Sequence, residues 1–90
     1  MDFEWDEEKR LGNIQKHQLD FLDADILFGG PYLLGRPKTV AGEEREIATG
    51  LIDDIGVTVI FTRRGDVIRI ISMRRARHGE RKHYEKIYGV

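Results

Sequence analysis

"VTVIFTRRGDVIRIISMRR", residues 57–75, decides the fold class. It holds two runs rich in β-branched residues, VTVIF and VIRIIS, separated by Arg63-Arg64-Gly65-Asp66. So short a polar connection with a glycine predicts a β-hairpin, with strands over about 56–62 and 66–74. Simple alternation places Val67, Ile71 and Met73 on one face of the second strand and Ile68 and Ile70 on the other. Apolar residues on both faces predict a central strand. A third strand is expected over about 44–51, within GEEREIATG.

Upstream, DFEWD (2–6) alternates Phe3 and Trp5 with acidic residues, the period of a short half-buried edge strand. Asp6 is placed to cap a helix that runs to about His17, with Glu7 and Glu8 at its positive end, although Gly12 weakens it. Asp20 caps a second helix to about Phe28, closed by Gly29-Gly30-Pro31. Residues 32–42, with Pro37, read as an irregular connection or a weak edge strand. A final helix is expected over about 78–88. The sum is an α+β fold: a small, mostly antiparallel sheet with N-terminal helices packed on it and a C-terminal helix. Ninety residues suffice for one modest core, so residues 1–90 are expected to form a single domain.

Composition narrows function. The chain has no cysteine, which removes disulfides and thiolate metal sites and suits a reducing cytoplasm. The beginning MDFEWDEEKR is acidic, and apolar runs are as short as Val59-Ile60-Phe61, so neither export nor membrane spanning is expected. Net charge is −1, yet residues 1–62 carry 6 Lys+Arg against 13 Asp+Glu (−7) and residues 63–90 carry 9 against 3 (+6). This asymmetry points to a polyanion on one face, or to a solvated surface whose charges cancel in space. There is no P-loop or dinucleotide glycine pattern, so ATP and NAD are not expected. With three histidines, of which His78 and His83 are five apart, a transition-metal site is not expected either. No cofactor is implied.

Three groups could carry chemistry. Lys16 and His17 end the first helix, where the dipole favours a cation and His can change charge near neutral pH; the plain alternative is a helix-terminal His bonding the last carbonyls. Glu44 and Arg45 are adjacent in a strand, so only one can face a given site, and either could make an ordinary cross-strand ion pair. Arg74, Arg75 and Arg77 lie where the last strand gives way to the final helix, positioned to converge on a phosphate, against the alternative of a charged strand end. Ten arginines against five lysines, with seven of the ten in residues 63–81, favour the phosphate reading. Arg69 and Arg74 fall on opposite faces by alternation unless a bulge intervenes.

Taken in order, FEWDEEKRLGNIQKH (3–17), DFLDADILF (20–28), GEEREIATG (42–50) and GDVIRIISMRRARHGERKHYE (65–85) resemble the BrnT family of bacterial toxins from type II toxin-antitoxin pairs. Two positions depart from the family pattern: Gln18 stands where a glycine is usual, and Met73 where alanine is expected. The resemblance implies a RelE-like fold and a ribonuclease that inhibits translation. It also implies a cognate ribbon-helix-helix antitoxin, operator DNA bound only through the complex with that antitoxin, and no membrane partner. On that reading RNA is cleaved without metal by 2′-hydroxyl attack. His17, supported by Lys16, is the general acid or base, and Arg74 holds the phosphate with Arg45 and Arg69 as further candidates. Tyr84 stacks on a base or donates a proton, and Arg75, Arg77 and Arg81 bind substrate. Specificity is loose or borrowed from a ribosome. The competing class is a non-catalytic basic module that holds nucleic acid or an acidic protein.

Overall fold

The computed structural model describes residues 1–89. In chain order it contains β1 (Asp2–Trp5), α1 (Glu7–His17), a single 3-10 turn (Phe21–Asp23), α2 (Ala24–Gly29), β2 (Leu33–Leu34), β3 (Lys38–Val40), β4 (Glu43–Ile52), β5 (Ile55–Arg64), β6 (Val67–Arg75) and α3 (His78–Tyr88). The fold is α+β, with a mixed six-stranded sheet in the order β1-β6-β5-β4-β2, and β3 paired to β4. The β1–β6 pair is parallel and the others are antiparallel. The expected second helix divides into the 3-10 turn and α2, and the segment expected to be irregular supplies the two short strands β2 and β3.

Local chemistry explains the element ends. Asp6 accepts from the N–H groups of Glu8 and Lys9, capping α1. The helix stops at Gln18, which takes the left-handed conformation (φ 57°) and donates its N–H to Ile14 O at 2.8 Å. A glutamine thus does the work of a C-terminal glycine, at a conformational cost. The β4–β5 hairpin turns through Asp53 and Asp54, both at positive φ, the geometry of a two-residue turn that follows strand twist. Gly65 (φ 62°) opens the β5–β6 turn.

One side of the sheet carries the core. Ala48, Ile52, Val57, Val59, Phe61, Ile68, Ile70 and Met73 cluster with Leu19, Phe21, Ala24, Leu27 and Phe28 from the segment after α1. Phe28 meets Phe61 edge to face at 5.2 Å, and Phe3 and Trp5 pack against the cluster's margin. Each fully buried large side chain here contributes about 1.5–3 kcal/mol. Gly50 leaves room for Leu27, whose Cγ lies 3.0 Å from where a β-carbon would sit.

β6 departs from simple alternation. Ile60 pairs with Ser72 and Phe61 with Ile70, so Ile71 is an extra residue, a β-bulge. The expected grouping of Met73 with Val67 and Ile71 is therefore corrected: Ile68, Ile70 and Met73 all enter the core. Asn13 of α1 secures this region, accepting from Met73 N–H at 3.1 Å and donating to Leu19 O at 3.0 Å. The same bulge puts Arg69 and Arg74 on one face, the face opposite the core, and so corrects their expected separation. Among the described residues no helix is long and apolar enough to cross a membrane.

Candidate functional site

The face opposite the core is polar. Register pairs bring Glu4 beside Arg69, Arg69 beside Thr62, Ser72 beside Ile60, Arg74 beside Thr58, and Thr58 beside Thr49. In β4, Glu43, Arg45 and Ile47 alternate with Thr49 onto this face, whereas Glu44 and Glu46 point the other way. Arg45, Arg69 and Arg74, named from two separate stretches of sequence, thus share one surface. Half-buried Ile47 and Ile60 lie between its two ends.

At one end, α3 is bolted to the sheet through Glu80. Its carboxylate accepts from Arg74 Nη1 (2.8 Å) and Nη2 (3.0 Å), from the Thr58 hydroxyl (2.9 Å) and from Arg77 N–H (2.8 Å). Burial pushes this carboxyl up, but the hydrogen bonds of Arg74, Arg77 N–H and Thr58, together with the Arg74 charge, outweigh it and hold its pKa at about 2. Thr58 Oγ1 lies 2.8 Å from Thr49 Oγ1, which continues the network into β4. Arg74 also donates from Nη1 to Arg75 O at 3.3 Å. Its Nε and the second Nη2 proton remain as the edge of the guanidinium open to a further acceptor.

At the other end, acid and base alternate. Arg69 Nη1 donates to Glu4 Oε2 at 2.6 Å. Arg64 lies 4.0 Å from Glu4 and 3.8 Å from Glu43, and Arg45 Nε is 4.0 Å from Glu43. At that last distance no hydrogen bond forms. Arg45 Nε and Thr62 Oγ1 are both buried without a hydrogen-bond partner among the described residues.

The other expected residues are distributed more widely. Lys16 is exposed and His17 half-buried in the last turn of α1; among the described residues neither makes a side-chain hydrogen bond or ion pair with the arginine face. Tyr84 is buried, and its hydroxyl donates to Pro31 O at 3.2 Å while Tyr88 donates to Tyr32 O at 2.8 Å, so the two tyrosines tie α3 to the segment before β2. Burial, and secondarily Tyr88, raises the Tyr84 pKa. Arg75 and Arg81 line a cavity of about 500 Å³ between α3 and the β4–β5 end of the sheet, with Thr49, Leu51 and Asp54. Arg77 is exposed just before α3.

Sequence reasoning missed Thr58, Thr62 and Glu80. The two threonines break an apolar run at alternate positions, Val57-Thr58-Val59 and Phe61-Thr62, and that interruption marks a strand with one polar face. Glu80, three residues after Arg77, occupies the position from which a carboxylate reaches back to the start of a helix.

A family sequence pattern described as "Ribonuclease toxin, BrnT, of type II toxin-antitoxin system" matches residues 5–80. No curated protein matches the chain. The matched span runs from β1 into α3 and includes both ends of the arginine face. The chain accordingly belongs to the BrnT family of ribonuclease toxins of type II toxin-antitoxin systems.

Proposed function

We propose that the protein cleaves RNA without a metal ion, by attack of a 2′-hydroxyl on the adjacent phosphate, and that the arginine-bearing sheet face receives the substrate. The observation that carries this reading is the gathering of Arg45, Arg69 and Arg74 on one face of a rigid sheet. The reaction needs the 2′-hydroxyl deprotonated, the 5′-oxygen protonated and the extra charge of the pentacoordinate phosphorus stabilised. Its products are a 2′,3′-cyclic phosphate and a 5′-hydroxyl.

Arg74 supplies charge stabilisation through the edge of its guanidinium that Glu80 leaves open, and Glu80 fixes its orientation. Arg69 and Arg45 neutralise neighbouring phosphates, and Arg75, Arg77 and Arg81 extend the basic surface. His17, in the last turn of α1, exchanges the proton, with Lys16 beside it. Tyr84, engaged with Pro31, keeps α3 in position for this work. The fold is read as RelE-like, and the protein acts in the cytoplasm. A ribbon-helix-helix antitoxin covers the arginine face, and the pair together binds operator DNA. Target choice is loose or imposed by a ribosome.

The test is incubation of the wild type, His17→Ala and Arg74→Ala with end-labelled RNA in excess EDTA, followed by analysis of fragment ends. Cyclic-phosphate fragments are expected from the wild type, with each variant slowed about 10²-fold or more. Unimpaired cleavage by a variant removes that residue from the mechanism. Intact RNA with folded wild type transfers the face to a non-catalytic binding role or to cleavage on the ribosome.

A further inference from the structure

We propose that Arg45 and Thr62 form a phosphate-binding subsite distinct from Arg74, which takes a second phosphodiester of single-stranded RNA; this deepens the RNA reading above and rests on it for the identity of the ligand. Thr62 is 2% exposed, and its hydroxyl has no partner among the described residues. Arg45 Nε is in the same condition. Buried polar atoms are nearly always paired, and two orphans on one sheet face are out of keeping with a finished surface. Continuing the β4–β5 register one residue past Glu46–Phe61 sets Arg45 across from Thr62, so the two donors can serve one anion between them.

Charge at this end of the face points the same way. Lys38 stands directly opposite Arg45 in the β3–β4 register, and such like-charged pairs repel unless an anion lies between them. Arg69 is the register partner of Thr62 on its other side. Among the described residues, the carboxylates reaching these arginines are Glu43, 4.0 Å from Arg45, and Glu4, bonded to Arg69. Glu43 is too far to bond and 40% exposed, a placeholder for an anion with better geometry. The neighbours around Thr62 on this face, Arg45 and Arg69, are long side chains that move aside at little cost when a phosphate draws their guanidiniums to itself. Thr58 and Thr62 mark the two ends, four residues apart on β5 and so about 13 Å along the strand, too far for one phosphate to bond at both. The half-buried Ile47 and Ile60 between them offer an apolar strip for a sugar or base.

Thr62→Val removes the hydroxyl and keeps the shape. If the hydroxyl is an orphan kept for a ligand, the variant melts about 5 °C above the wild type. Its melting temperature no longer responds to inorganic phosphate, and its affinity for a short single-stranded RNA falls about tenfold. Arg45→Gln likewise loses the phosphate response, and Glu43→Gln, which removes the competing negative charge 4.0 Å from Arg45, enlarges it. A Thr62→Val protein that binds phosphate and RNA as the wild type does, or that melts lower, overturns the proposal. A phosphate response abolished by Thr62→Val, in a wild type that binds no RNA, upholds the subsite and refutes the RNA reading.

Discussion

Replacing Glu80 by glutamine separates the charge of the α3 anchor from its shape. A carboxyl drawn from its ordinary 4.5 to about 2 corresponds to roughly 3 kcal/mol at neutral pH. Its side chain is 24% exposed, so solvent screening reduces that to about 2 kcal/mol. For a domain of this size the variant melts about 10 °C below the wild type at pH 7. Because the folded pKa is depressed, the stabilisation is complete above the unfolded value of 4.5 and is lost as pH falls through about 2. The gap between the two proteins therefore shrinks with acid, to about 40% of its neutral value at pH 3. Circular-dichroism melts of both proteins from pH 7 to pH 3 give the curve. A gap that is absent at pH 7, or that stays constant with pH, refutes the assignment of this stability to the ionised carboxylate among Arg74, Thr58 and Arg77.

Gln18→Gly relieves the left-handed strain at the end of α1, with an expected gain of about 0.5–1 kcal/mol in urea unfolding; a loss would mean that the Gln18 side-chain bond to Gln15 O matters more than the backbone. Asp54→Gly, at the second position of the β4–β5 turn with φ 66°, is expected to stabilise by about 1 kcal/mol by the same measurement. Asn13→Ala leaves Met73 N–H and Leu19 O without partners and costs about 3 kcal/mol, with early loss of Met73 amide protection in hydrogen exchange.

The strand pair at 55–75, α1 and α3 were legible because their signals are local: β-branched runs around a glycine turn, an aspartate cap, a charged amphipathic segment. Gly29 and Gly30 likewise marked the end of the second helical segment, but nothing local marked its division at Asp23. The arginine face was legible only as residue types. Its assembly depends on Ile71, an apolar residue like its neighbours, whose extra place in β6 arises from pairing with β5 and from the hold of Asn13 on Met73. No periodicity within the strand announces that. The partners of Arg74 were also hidden, because Glu80 and Thr58 reach it from another element and another strand. His17 was read from its place on a helix end, and that place is as expected.

The parallel pairing of β1 with β6 joins Asp2 to Val67 and Trp5 to Ile70, so the edge of the sheet is closed by segments from opposite ends of the sequence. Contacts of such sequence separation form late and make folding slow relative to helical proteins of the same size. During synthesis, a chain not yet extended through β6 lacks Arg69, Arg74 and the strand against which Glu4 is held. A growing polypeptide therefore carries the acidic half of this molecule long before it has assembled the basic surface.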